Sequence, residues 1–228
     1  MVGASGSREY FVRSVLESAK EAHRWYRGVF HGSMRTPTYS RETARRIATS
    51  ADPVRYGSMG LALATIEREK VPGALAELGV WRGFTSSFIR LQAPQRPLYL
   101  FDTFAGFPGS EGTDTRFQDT TVEVVRRKIG DCSNVIFRVG TFPETTHGLE
   151  SEVFAFVLID VDKYGPTSAG LEYFYPRMAR GSFLFVHDYN SPESDYGVSR
   201  AVREYLKDRP ENVIEIPDVF GSVVFRKV

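Results

Sequence analysis

Cysteine is almost missing from this chain: Cys132 is the only one in 228 residues. A single thiol closes no internal disulfide and builds no cysteine metal cluster. A chain of this length does without such staples, because folding can bury ~70–75% of its unfolded surface. Long hydrophobic runs are also absent, none approaching the ~20 residues that span a bilayer. The opening MVGASGSREY has no apolar signal-peptide core, so the expectation is a cytoplasmic protein with no membrane partner. Neither sign of charge is in excess: 29 Lys and Arg stand against 28 Asp and Glu. With no basic stripe interleaved with aromatics, nucleic acid is not an expected partner. Repeats and low-complexity tracts are lacking too. The length then suggests one elaborated domain, or at most two small ones.

What the chain does carry is an alternation of short apolar runs with amphipathic segments, the pattern of an α/β sheet. It is organised around AELGVWRGFTSSF, residues 76–88. An apolar run over 73–78 bears Glu77 near its end and passes through Gly79 and Gly83 into Thr85, Ser86 and a helical segment ending before Pro94. That reads as a buried parallel strand, a glycine-rich turn and a helix N-terminus, where such sheets bind nucleotide-like ligands. Upstream, helical spacing over 8–30 (Phe11, Val15, Leu16, Ala19, Ala22, Tyr26, Val29), a linker over 31–40 and a basic helix over 41–49 form an extension, 1–51. This extension suits a lid or an oligomer arm, and His23 and His31 read there as structural or exposed. Residues 52–228 form the sheet domain. Asp52-Pro53 marks a helix start that carries Arg55, Tyr56, Ser58 and Met59 toward the sheet's carboxyl edge.

Four further strands are expected over 98–101, 135–139, 154–162 and 182–186. They end at Asp102; at Gly140, Thr141 and Phe142; at Asp160 and Asp162; and at His187, Asp188, Tyr189 and Asn190. Helices over 120–129, 166–178 and 198–207 connect or follow them. The polar stretch 109–119 reads as a mobile loop, and 212–216 with 222–226 as an antiparallel hairpin. The expected fold is a Rossmann-like, doubly wound seven-stranded sheet whose last strand is antiparallel. Glu77, Asp102, Asp160 and Asp188 then share one rim and repel, unless a sulfonium cofactor or a divalent metal sits among them. Asp160, His187 and Asp188 are ligand types for magnesium, manganese or zinc. Plainer roles stay open: a turn cap for Asp102, a helix cap for Asp160, a hydrogen-bonding rim residue for His187. Asp162 is the more ambiguous acid of its pair.

Taken together, ELGVWRG, LYLFDTFAGFP, GTFPET, LIDVDKY, YPRMARGSFLFVHDYN and GSVVF resemble the macrocin O-methyltransferase family, in order over roughly 52–225. These are class I S-adenosylmethionine enzymes that methylate sugar hydroxyls. The resemblance implies that Glu77, Gly79 and Gly83 line the methionine part of the cofactor, with Tyr56, Ser58, Thr85 and Ser86 nearby. Asp102 would bind the ribose, Thr103 and Phe104 would lie beside the adenosine, and Gly140, Thr141 and Phe142 would border the adenine. Asp160 would contact the cofactor, ligate a metal (Mg2+ foremost) with His187 and Asp188, and act as base. A sugar or glycoside acceptor would meet Tyr164, His187, Tyr189 and Asn190, and a homodimer or higher homo-oligomer is the implied assembly. Two departures stand out: His187-Asp188-Tyr189 where antibiotic-sugar members have Asp-Asp-Tyr, and Lys163 where an apolar residue is usual.

The expected reaction is in-line methyl transfer to a hydroxyl, with alignment worth up to ~7–11 kcal/mol. A divalent ion would acidify the hydroxyl and Asp160 would take its proton. Catechol and nucleoside acceptors are alternatives within this chemistry. A nicotinamide oxidoreductase is a rival outside it, weakened because Gly79-x-x-x-Gly83 is not G-x-G-x-x-G. A non-catalytic protein on the same fold is the other rival.

Overall fold

The computed structural model describes residues 15, 18–26, 39–107, 116–130 and 133–228. His31, Cys132, residues 109–115 of the expected loop and most of the expected 31–40 linker lie outside them, as do Phe11, Leu16 and Val29. Two compact units form, Met1–Pro53 and Val54–Val228. In the first, residues 18–26 are helical and His23 among them is exposed. Helix α1 (Arg41–Thr49) follows, capped by Ser40, whose Oγ accepts from the Thr43 amide at 3.0 Å.

Helix α2 (Pro53–Arg68) comes next, with proline at the position where a missing N–H is harmless. Strands and helices then alternate: β1 (Ala74–Leu78), α3 (Phe84–Gln92), β2 (Leu98–Asp102), α4 (Val122–Ile129), β3 (Val135–Val139), β4 (Phe154–Ile159), α5 (Tyr164–Phe174), β5 (Met178–Val186), α6 (Gly197–Leu206), β6 (Ile214–Ile216) and β7 (Ser222–Arg226). The sheet runs β3-β2-β1-β4-β5-β7-β6. Its first five strands pair in parallel, whereas β7 lies antiparallel to both β5 and β6. β1 and β4 are buried along their whole length, as strands covered on both faces must be. Winding proceeds outward from β1 to β3 and then from β4 in the other direction, so the switch point lies between β1 and β4.

Some expected boundaries move for local reasons. α5 begins at Tyr164, since Pro166 is tolerated in a first turn, and stops at Phe174 before Pro176. β5 begins at Met178 because the chain passes through a bulge between its pairings with Phe154 and Phe156, where Gly181 adopts φ +86°. β4 ends at Ile159, which leaves Asp160 and Asp162 beyond the strand. Among the described residues, no helix is long and apolar enough to cross a membrane.

Candidate active site

Backbone hydrogen bonds carry the sheet ladder one step past the strand ends. Gly140 donates to Asp102, Gly79 to Phe101, Asp160 to Leu78 and His187 to Ile159, at 2.8–3.0 Å. These bonds set Asp102, Gly79, Asp160 and His187 side by side on one rim. The glycine at 79 is required by packing: a Cβ there would stand 1.9 Å from the Asp160 carbonyl oxygen, on a backbone with φ +88°. At Gly83, φ +71°, a Cβ would press on Val125 at 2.7 Å. Both glycines let the turn sit close against neighbouring protein. Gly83 also leaves α3 without a side-chain cap, so its first amides remain available to an anion.

Asp160 lies at the centre of the rim. Its Oδ2 accepts from Arg55 Nη1 at 3.0 Å, and its Oδ1 lies 3.1 Å from His187 Nδ1. The same Nδ1 is 3.0 Å from Asp188 Oδ2, while Nε2 is 3.0 Å from the Val219 carbonyl oxygen in the β6–β7 turn. That carbonyl accepts only a proton, so Nε2 carries one and Nδ1 is the nitrogen facing the acids. Burial alone would raise the Asp160 carboxyl, but the His187 and Arg55 charges hold it well below the usual carboxylate range. Burial disfavours the charged imidazole, yet Asp160 and Asp188 push His187 up to about 10. Asp162 is pushed up to about 8, first by burial and then by its hydrogen bond to Asp188. Asp162 and Asp188 both adopt left-handed backbone, φ +56° and +58°.

Glu77 is fully buried and accepts a hydrogen bond from Ser86 Oγ on α3. Burial raises its carboxyl well above the ordinary value, Ser86 only partly offsetting this, and nearby Asp160 raises it further. Tyr56 Oη and Thr85 Oγ1 lie 3.3 Å apart, tying α2 to α3. Ser58 instead bonds back to the Val54 carbonyl, within its own helix. Asp102 accepts from the amides of Val80 (2.6 Å) and Trp81 (2.9 Å) through one oxygen and of Phe104 (2.7 Å) through the other. It thus organises the glycine turn, the turn-capping role left open by the sequence. A carboxylate has about four lone-pair sites, so capacity remains for another donor.

The other expected residues divide by burial. Thr103 closes a small turn onto Gly106, and Phe104 packs near Phe137. Phe142 belongs to an aromatic layer with Phe101, Phe174 and Tyr173, and Thr141 accepts from the Thr145 amide. Tyr189 is buried in the hydrophobic core, so its ring faces packing and not the rim. Asn190 is exposed and packs on Gly221, and the Tyr164 hydroxyl donates to Glu204 at 2.6 Å. Two features escaped the sequence reading. One is Arg55, which the helix start at Asp52-Pro53 carries toward this edge without disclosing its bond to Asp160. A cleft of about 550 Å3 also lies beside the turn, lined by Trp81, Arg116, Phe117, Gln118 and Asp119. Trp81 forms one wall, held by Nε1–H donation to Asp119 Oδ1 at 2.8 Å and edge-on to Phe117.

A reversed β7 between β5 and β6, with acids gathered at the β1–β4 switch point, defines the Rossmann-like methyltransferase class. The macrocin-O-methyltransferase family profile matches residues 42–227, and the chain belongs to that family of methyltransferases. It is 29% identical over 175 residues to the mycinamicin III 3''-O-methyltransferase of Micromonospora griseorubida, covering 65% of this chain and 67% of that one. It is 30% identical over 157 residues to the Streptomyces olivaceus 8-demethyl-8-(2,3-dimethoxy-alpha-L-rhamnosyl)-tetracenomycin-C 4'-O-methyltransferase, covering 59% and 60%. The solved O-methyltransferase NovP superposes with a TM-score of 0.66 at 24% identity, over 77% of this chain and 80% of NovP, which bears on fold alone.

Proposed function

We propose that the protein transfers the methyl group of S-adenosylmethionine to a hydroxyl of a sugar in a glycosylated natural product, assisted by a divalent metal. The observation that carries this reading is the cluster of Asp160, His187 and Asp188, whose ligand atoms lie within 4.8 Å of one another at the switch point. Two carboxylates and an imidazole whose Nδ1 faces them, and would release its proton on binding, suit a divalent ion, magnesium first. The substrate class rests on the relatives, one named for the 4' position of a rhamnosyl-tetracenomycin and another for the 3'' position of mycinamicin III.

In the reaction, the acceptor oxygen forms a bond to the methyl carbon as the carbon–sulfur bond breaks, leaving S-adenosylhomocysteine and one proton. Asp160 takes that proton. Held low by its cations, Asp160 is a weak base, and a free sugar hydroxyl would surrender little to it. A divalent ion held by Asp160, His187 and Asp188 would supply the missing acidity by polarising the hydroxyl. Glu77 faces the positively charged methionine end, with Ser86 fixing its carboxylate. The open amides of α3 suit an anionic group there, and the remaining acceptor capacity of Asp102 takes a ribose hydroxyl. Tyr164 and Asn190 border the acceptor, and the N-terminal extension acts as a lid or an oligomer arm.

Mass spectrometry of products from S-adenosylmethionine with glycosides, nucleosides and catechols, with and without EDTA, tests the reading. The expected result is one added methyl on a glycoside, abolished by EDTA and restored by Mg2+. Methylation of a catechol or nucleoside alone would replace the substrate class, and full activity in EDTA would remove the metal.

A further inference from the structure

The rim holds a cation of the chain's own where a metal ligand is needed. Arg55 Nη1 lies 3.0 Å from Asp160 Oδ2, with the two side chains 15% and 23% exposed. His187 faces the other oxygen, so both oxygens of Asp160 already meet a positively charged or proton-bearing group. The position of Arg55 is itself informative. It sits in the first turn of α2, a turn with no acidic residue, at the helix end where the macrodipole disfavours a cation. A charge-assisted bond to an acid 105 residues away outweighs that disadvantage. Without Arg55, Asp160 would face Asp188, Asp162 and Glu77 with His187 as the remaining cation on its carboxylate.

We propose that Arg55 is a built-in counter-ion that competes with the divalent metal for Asp160. Before metal binds, it holds the carboxylate in place and neutralised. On metal binding it would release the carboxylate, freeing Asp160 to serve as metal ligand and base. The inference rests on the metal-assisted reading above. Arg55 is a positioning residue here, acting through Asp160, and it sets the metal affinity below what Asp160, His187 and Asp188 would reach by themselves.

Titrations of Mg2+ by calorimetry and of Mn2+ by electron paramagnetic resonance test this in the wild-type protein, Arg55→Gln, Arg55→Lys and Asp160→Asn. Near-UV circular dichroism and S-adenosylhomocysteine affinity check that each variant is folded. Competition predicts that Arg55→Gln binds both ions at least about tenfold more tightly, the scale on which an adjacent opposite charge shifts a carboxylate. Arg55→Lys should stay near wild type and Asp160→Asn should lose the site. A merely structural arginine would not tighten metal binding on removal. If Arg55→Gln is unfolded, Arg55→Met, which keeps the apolar stem, reads the same competition. Unchanged or weaker binding in the folded variant, with wild-type binding intact, overturns the proposal and leaves the metal reading standing. Absence of metal binding in both proteins, with S-adenosylhomocysteine still bound, overturns both. Binding by Arg55→Gln alone supports the competition.

Discussion

His187 is charged in the metal-free protein because Asp160 and Asp188 more than offset its burial, raising it from 6.5 to about 10. The folded state therefore binds a proton that the unfolded chain releases above its own lower value. That stabilisation is complete below about pH 6.5 and is lost as pH rises toward about 10. Denaturant unfolding of the metal-free protein should show stability falling across this window, with Asp162 adding to the fall up to about pH 8, and His187→Gln should flatten the part above that pH. A wild-type profile that is level or rising there would refute the assigned charge. Asp160, His187 and Asp188 were legible in the sequence because each follows directly on an apolar strand run, and a strand's end has only one rim to reach. Arg55 was not, because α2 is buried on several sides, with Tyr56, Gly57, Met59, Gly60, Ala62, Leu63 and Ile66 all inside. A helix with no single apolar face does not reveal which way an arginine points. Phe142 and Tyr189 illustrate the converse difficulty. An aromatic residue just past a strand can meet a ligand or fill the core; Tyr189 fills the core, and Phe142, partly buried, packs against it.

β1 and β4 do most to shape the site, since their ends meet without a spacer at Gly79 and Asp160. Gly79→Ala should displace the end of β4 and the Asp160 carbonyl. It combines a backbone collision with a disfavoured φ, so loss of several kcal/mol or of soluble folded protein is expected. Gly165→Ala is the contrast: it lies in α5 with nothing within 4 Å of the new Cβ, and should stabilise by about 0.5–1 kcal/mol. Thermal melts of the two variants check both signs, and a tolerated Gly79→Ala would show that the two strand ends are not locked together. The strands were legible from their apolar runs, and the turn after β1 from its glycines. What the residues did not disclose was why glycine is needed, because the neighbour that excludes a side chain at 79 lies 81 positions away. The start of β5 was hidden for a related reason: a bulge interrupts the period-two pattern on which strand limits are judged.

Across the whole molecule, the near balance of 29 basic and 28 acidic side chains conceals an uneven local distribution. The parallel strands deliver Glu77, Asp160, Asp162 and Asp188 to one end of the sheet. Sequence reasoning held that only positively charged guests could make this tolerable. The structure corrects that: Arg55 and protonated His187 already neutralise the cluster, while burial and neighbouring acids raise Glu77 and Asp162 toward their neutral forms. The fold thus assembles the acids ahead of any ligand and holds the Asp160 carboxyl low, so the base role proposed for it calls for a metal's help. The most direct measurement is the initial rate of methyl transfer from S-adenosylmethionine to a glycoside acceptor by wild type and Asp160→Asn in the same magnesium buffer, with S-adenosylhomocysteine affinity determined for both. Asp160→Asn should be slower by at least about a hundredfold while binding S-adenosylhomocysteine almost as well. A near-normal rate in Asp160→Asn would contradict the central role given to that carboxylate.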